Sequence, residues 1–312
     1  MITPEKMIDE LNGVFGQHAG CRALHAKGTM CKGRFTALPE AKALTRAPHM
    51  QGDPIEATVR FSNGTGNPHV SDKERDVRGL AVKLYLADGS RTDLVAQTAS
   101  RSPTRTPDEF IALVEAVEIK PINAVRLPLY LVRHPGAVKA LGALAGEMAP
   151  PPSYATARYY PLHAYRWIDA EGGERFVRYT FVPEAGREKA AGKDVARGRD
   201  FLQEELRERL SAGPIRFALE VQIAGPQDDP DDVTDVWNQD GDRVTVGTLE
   251  VTGLETGRET GGDVVVFDPQ PRHGRHRAHR RPDPSIPLAG LFGVGRAPQR
   301  DRAAGGLHLI LT

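Results

Sequence analysis

Apolar and polar residues alternate with period two from Ile55 to Ser62. Ile55, Ala57, Val59 and Phe61 fall on one side, and Glu56, Thr58, Arg60 and Ser62 on the other. That alternation predicts a half-buried strand with Arg60 and Ser62 on the same face. Leu80 to Leu86 repeats the pattern through Leu80, Val82, Leu84 and Leu86, and Asp93 to Thr98 predicts a third strand. Phe176 to Val182, Ile215 to Ile223 and Val244 to Val251 read as three more.

Helical signals fall between the strands. Thr3-Pro4-Glu5 sets a capping hydroxyl before a proline and an acid, which predicts a short helix to about Leu11 or Asn12, before Gly13. Thr106-Pro-Asp-Glu109 is a capping box, so a helix follows through Phe110, Leu113, Val114 and Val117. Asn123 to Glu147 is rich in Ala and Leu, interrupted at Pro135-Gly136 and ended by Pro150-Pro151-Pro152. Arg199 to Leu210 is charged and amphipathic and predicts a surface helix. The mixture is α+β: an antiparallel β-barrel carrying helical excursions.

Composition narrows the partners. Lys plus Arg and Asp plus Glu both number 41. No global field therefore recruits nucleic acid or an anionic membrane. The cysteines are only two, Cys21 and Cys31. That count excludes a disulfide scaffold and a thiolate zinc site. Cys21 is expected to be a buried apolar thiol. No run has the length of a membrane span, and the acids and proline near Met1 do not form a signal peptide. A cytoplasmic location is the expectation.

Three segments carry candidate chemistry: Arg22-Ala-Leu-His-Ala-Lys-Gly28, Val59-Arg-Phe-Ser62, and Arg75-Asp-Val-Arg-Gly-Leu-Ala-Val-Lys83. The first sets a histidine three residues after an arginine and ends on a glycine that suggests a turn. With Asp93-Leu-Val95 behind them, the four strings resemble the catalase superfamily, in particular its short catalase-related haem peroxidases. The likeness continues more loosely through Asp232-Val-Thr-Asp-Val-Trp237 and Val264-Val-Val-Phe-Asp-Pro269. It implies an eight-stranded antiparallel barrel with surrounding helices, a bound haem b, and hydrogen peroxide or an organic hydroperoxide as substrate. A small-molecule electron donor is implied as well; a homo-oligomer is left open.

The resemblance also assigns roles. His25 matches the distal histidine that moves a proton between the two peroxide oxygens, which suits an imidazole near neutral pH. Ser62 matches the serine that orients this ring. Arg22 and Arg60 match arginines that pair with the haem propionates, for which an always-charged fork is the better cation. Thr98 stands where full catalases have an asparagine, which favours peroxidase over fast catalase turnover. Ser102 and Pro103 replace an aromatic pair, which leaves a more open distal ceiling. Asp76 and Arg78 read as a turn-locking pair, and His163 and Tyr165 as structural residues. Two other readings follow from the same residues. One is a fatty-acid hydroperoxide-converting haem enzyme, favoured by the Thr98 pocket; the other is an inactive remnant without turnover.

The likeness fails at one place. Catalase-type iron is held from below by a tyrosinate with an arginine one turn away. In the family these lie after the Phe-Asp-Pro segment, near Gly-Ile-Glu…Asp-Asp-Pro-Ile-Leu…Arg…Ala-Tyr-Ser. Here no tyrosine follows Tyr179, and 270–312 is rich in Arg, His, Pro and Gly. Composition alone marks this tail as disordered or aberrant. Codons for Asp-Asp-Pro read one position off give Arg280-Arg281-Pro282, and codons for Ala-Tyr-Ser give Gly290-Leu291-Phe292. The chain thus divides into a catalase-like haem domain, 1–269, and an atypical tail, 270–312, with a frameshift between about Pro269 and His276. The histidines His273, His276 and His279, spaced by three with arginines between them, are poorly set for a defined site, and weak metal binding is the most expected of them.

Overall fold

The structure is a computed structural model that describes residues 2–118, 123–187, 197–238, 240–258, 264–269 and 277–278. Eight strands dominate it: β1 (Gly28–Ala37), β2 (Ile55–Asn63), β3 (Arg78–Tyr85), β4 (Arg91–Gln97), β5 (Tyr165–Ile168), β6 (Glu174–Pro183), β7 (Ile215–Ile223) and β8 (Arg243–Leu254). They form one sheet in the order β4-β3-β2-β1-β8-β7-β6-β5, and every pairing is antiparallel. Arg277–Ala278 adds a two-residue pairing outside β5. Register shifts at Lys32/Gly33 in β1 and Leu219/Glu220 in β7 bend the sheet, as bulges do.

The curled sheet carries the expected barrel architecture, but its seam is not a continuous ladder. Gln97 at the end of β4 bridges to Tyr160, and Tyr159 bridges to Phe181 of β6. The Tyr179 hydroxyl reinforces the seam by accepting from the Val95 amide (2.9 Å) and donating to the Val95 carbonyl (2.8 Å). Inside lie Phe61, Tyr154, Tyr159 and Phe217, with ring centroids 5.4 to 6.1 Å apart. Each such ring contributes roughly 1.5–3 kcal/mol by leaving water. Period-two alternation predicted these inward faces; Val59, Phe61, Leu80, Val82 and Leu84 are all fully buried.

Helices flank the sheet: α1 (Pro4–Phe15), α2 (Pro39–Leu44), α3 (Pro107–Glu118), α4 (Asn123–Arg133), α5 (Pro135–Leu144) and α6 (Phe201–Ala212). α1 begins as predicted, with the Thr3 hydroxyl accepting from Lys6 N–H. It runs past Gly13, however, to Gly16. Only Gly16 takes a positive φ (84°), and its amide closes the last turn on the Asn12 carbonyl. The expected break at Pro135 separates α4 from α5. Met7 and Leu11 of α1 pack with Ile111 of α3 against Ala23 and Leu24, and this small core anchors the loop that carries His25.

Two strands were missed in the sequence. β1 holds Gly28 and Gly33 and lacks a run of β-branched residues, and β5 is only four residues long. Gly28 is therefore not a turn; it opens β1. A Cβ there would lie 2.5 Å from Arg60 Cζ, so the glycine clears space for that arginine. Cys21 is only half-buried, and the fully buried thiol is Cys31. Cys31 faces the core from β1, and burial pushes its thiol up to about 12. Tyr165 opens β5 and tilts against Tyr179 at 5.2 Å, a structural place as expected.

The Val264–Pro269 segment folds back over β4. Val265 and Phe267 join Met30 and Val95 in a buried cluster. Lys83 binds both Asp93 oxygens at 2.8 and 2.6 Å, and Asp93 Oδ2 also accepts the Asp268 amide at 2.6 Å. Apart from Arg277–Ala278 the tail and its proposed frame change lie outside the described residues.

Candidate active site

The outer face of the sheet, opposite the aromatic core, holds the candidate chemistry. Two cross-strand rows build its floor. One runs Gly28–Ser62–Gly79–Gln97, the other Met30–Arg60–Ala81–Val95. Alternation along β2 points both Arg60 and Ser62 outward, and their β3 partners, Gly79 and Ala81, are small. The result is a cavity of about 290 Å³, counted to its open mouth. Arg22, His25, Arg60 and Ser62 line it together with Leu80, Val95 and Phe267. Four of the five predicted site residues are thus brought together.

His25 sits on strained backbone. Its φ of 54° is the sole positive value among the described non-glycine residues. That left-handed conformation costs of order 1–3 kcal/mol and persists only where neighbours enforce it. The His25 amide donates to the Gly64 carbonyl (2.9 Å) and the Ala26 amide to the Thr65 carbonyl (3.1 Å). The Gly64 amide in turn donates to Val77 O, and Asp76 Oδ2 accepts from the Thr65 amide (2.9 Å). Arg78 fixes this second loop through the carbonyls of Asp72, Glu74 and Asp76. The pair read as locking a turn does so, and the turn it locks holds the histidine.

The ring is held as firmly as the backbone. His25 Nδ1 lies 2.9 Å from Ser62 Oγ. A Cβ on Gly79 would come within 2.6 Å of Ser62 Oγ and 2.8 Å of His25 Nδ1, so this couple exists only because residue 79 has no side chain. His25 is 5 % exposed, and its pKa is lowered to about 3. Burial is the main cause, followed by the positive charges of Arg60, Arg22 and Arg78. Both site arginines are buried. Arg60 donates to the Ala26 carbonyl (3.2 Å) and Arg22 to the Val265 carbonyl.

Thr98 is placed differently. It follows β4, its hydroxyl accepts the Arg78 amide at 3.0 Å, and it is not among the residues lining the cavity. Ser102 also lies off the cavity, its hydroxyl turned onto the Thr104 carbonyl (2.7 Å). Gly79 and Phe267 were quoted in sequence motifs without a role. The missing signal was spatial, since only the β2–β3 register shows that residue 79 faces Ser62.

Two buried cations, a proton-exchanging imidazole and apolar walls fit a flat apolar ring that carries two carboxylates. Haem has those features. Arg22 and Arg60 would hold its propionates, and Ala81, Val95 and Phe267 would face the ring. Among the described residues no tyrosine lines the cavity. No cluster of three or more His, Cys, Asp or Glu suited to a bare metal ion occurs among the described residues either.

Comparison with known proteins agrees with this geometry. Residues 5–256 match the catalase family. The chain is 49 % identical over 270 residues to a catalase-related peroxidase of Mycolicibacterium paratuberculosis, covering 86 % of each chain. It is 29 % identical over 273 residues to one of Synechococcus elongatus, covering 86 % of this chain and 80 % of that one. Against full-length catalases, such as that of Staphylococcus epidermidis, it spans 49 % of the relative's length. A fungal catalase structure superposes with a TM-score of 0.74 over 89 % of this chain and 59 % of its own, at 19 % identity. The sequence strings, the curled antiparallel sheet and these matches converge: the chain belongs to the catalase family.

Proposed function

We propose that this chain is a haem-dependent peroxidase or catalase that decomposes hydrogen peroxide or an organic hydroperoxide. The observation that carries the reading is the His25–Ser62 couple, buried between Arg22 and Arg60 at one cavity. When bound, haem supplies the iron that takes up the oxidising equivalents of the peroxide. The protein's part is proton traffic and exclusion of water. With Nδ1–H donating to Ser62, His25 Nε2 is the nitrogen that accepts a proton from one peroxide oxygen and returns it to the other. A pKa of about 3 would make this base too weak at neutral pH. The propionates would offset the part of this lowering that comes from Arg60 and Arg22, while the larger part, from burial, would remain. Thr98, whose hydroxyl accepts from Arg78, retains a proton to donate and sits one strand-end from the site.

The ligand beneath the iron belongs to the same proposal. Read one nucleotide downstream, codons for Arg275 to Phe292 are compatible with Gly-Ile-Glu, then Asp-Asp-Pro-Ile-Leu-Arg-Phe-Arg, then Ala-Tyr-Ser. The Arg begins within codon 287 and the Tyr within codon 291, four residues apart, which is one helical turn. A gene with those codons would, in the shifted frame, supply both the phenolate and the arginine one turn before it.

The test is reconstitution with haemin. An intense Soret band together with peroxide-dependent oxidation of a donor dye supports the reading. A protein that stays colourless in both frames overturns it.

A further inference from the structure

Among the described residues the exposed large hydrophobic side chains are Val117, Val125, Leu129, Val132 and Val138, and all five fall in the α3–α5 unit. The barrel has none. Three of them, Val125, Leu129 and Val132, are spaced by four and three residues, so they form a single stripe along α4. Val132 is 80 % exposed and Val125 69 %. The opposite side of α4 is accounted for: Tyr130 is buried and Leu127 and Leu131 pack with it against Leu113 and Ala137. The stripe is thus a second apolar face, turned away from the protein.

Charge says what covers it. From Ile119 to Gly146 the sequence contains Lys120, Arg126, Arg133 and Lys139 and not one Asp or Glu. Arg126 and Arg133 are exposed on α4 itself. Arg126 has one acidic neighbour, Glu115, at 3.9 Å across exposed surface, where such a pair holds little. An apolar stripe flanked on its own helix by two arginines is the pattern of a helix that lies in an anionic lipid interface. A second copy of this chain fits worse. A two-fold contact through this face would bring Arg126 and Arg133 of both copies together, with Glu115, already beside Arg126, as the acid there.

We propose that α4 is a membrane-surface helix, and that it seats the protein on an anionic bilayer through Val125, Leu129 and Val132 with Arg126 and Arg133 among the headgroups. No helix among the described residues is long and apolar enough to cross a bilayer, so α4 would lie on its surface. The balanced total charge does not oppose this, because the bias is local to 119–146.

The experiment is co-sedimentation of the full chain with vesicles of phosphatidylcholine alone and of phosphatidylcholine mixed with phosphatidylglycerol. Binding to the anionic vesicles only, weakened by salt, is expected. L129D/V132D and R126Q/R133Q are the two informative variants; all four side chains are exposed, and thermal melting checks that the fold is kept. Each lost cation should lower partitioning about fivefold, so the arginine pair lowers it about 25-fold. The aspartate pair should abolish it. Equal binding by wild type and both variants would assign the interaction to the arginine-rich tail, which all three share, and overturn the proposal. So would absence of vesicle binding by the wild type, or a fall in oligomeric size caused by L129D/V132D, which would identify a second copy as the occupant.

Discussion

Replacing Gly79 with alanine adds one methyl group at the point where the His25–Ser62 couple is most crowded. The new Cβ would lie 2.6 Å from Ser62 Oγ, 2.8 Å from His25 Nδ1 and 2.9 Å from His25 Cε1. All three are closer than van der Waals contact permits, so a partner has to move. The neighbours cannot give freely. His25 is pinned by its own amide and that of Ala26, and Ser62 pairs with Gly79 in the β2–β3 ladder. Overpacking of this kind costs about 1–3 kcal/mol. Breaking the hydrogen bond adds about 1 kcal/mol. At roughly 2–4 °C per kcal/mol for a domain of this class, melting should fall by about 4–16 °C.

A double-mutant cycle separates the two parts. On a Ser62→Ala background the hydroxyl is gone, so Gly79→Ala should cost less than it does in the wild type. A coupling of about 0.5–3 kcal/mol is the expected range for residues in contact. Thermal unfolding gives the stability, and peroxide-dependent donor oxidation by the haemin-loaded protein gives the activity, which should fall with the lost orientation of His25. If G79A melts with the wild type and turns over peroxide normally, the claim that residue 79 must be empty is wrong.

Two further predictions concern the charge around His25. Its pKa is about 3 in the folded protein against 6.5 unfolded, so the unfolded chain binds the extra proton between those values. Its contribution to stability is therefore whole above pH 6.5 and lost as pH falls toward 3, by at most about 1.4 kcal/mol per pH unit. Asp76 and Asp93, whose pKa values are raised mainly by burial, act in the opposite sense, so the difference between wild type and His25→Gln isolates the histidine. Chemical denaturation of the haem-free chain at several pH values should show a flatter acid limb for His25→Gln; parallel curves would contradict the shift. Arg60→Leu removes the largest charge acting on His25 and one anchor for a propionate. The imidazole should then titrate above its wild-type value by NMR of the haem-free protein, while haemin affinity falls by tenfold or more, the effect expected of a lost charge-assisted contact. An unchanged titration would remove Arg60 from the electrostatics of the site.

How much of this was legible in the sequence depends on distance along the chain. The faces of β2 and β3 followed from local alternation, and with them the shared side of Arg60 and Ser62. His25 could be assigned only by likeness to a family, because nothing local marks a left-handed residue pinned by Gly64 and Thr65. Gly28 and Gly79 looked like punctuation. Their reason lies in partners 32 positions away for Gly28 (60 − 28) and 17 for Gly79 (79 − 62), through strand register that no short window contains. β1 escaped notice for the same cause. Its two glycines lower its strand signal, and both are required by backbone or side chains of other strands. The exposed stripe on α4 was invisible because its residues also suit a buried helix; only the packing of α3 and α5 shows which face is left over.

The most decisive prediction joins the two halves of the cofactor site. The upper half is built by residues 22–81 and is closed at one edge by Val265 and Phe267, which are tied to the sheet through Asp268, Asp93 and Lys83. The fold thus still packs Phe267 against the sheet, a few codons before the composition changes. If the reading frame slips there, two versions of the protein differ only beyond about residue 270. The frame-restored chain would carry a tyrosine with an arginine one turn before it; in the written chain no tyrosine follows Tyr179. Both share the same His25, Ser62, Arg22 and Arg60, so a difference in haem retention reports the exchanged tail. Loaded with haemin and passed through gel filtration, the frame-restored chain should keep its Soret band and the written chain should lose it. Replacing the restored tyrosine with phenylalanine should return the written chain's behaviour. Equal retention by both versions, or a gene with no tyrosine codon in any frame near position 291, would refute the frameshift. The iron would then have to be held by a residue of the written chain.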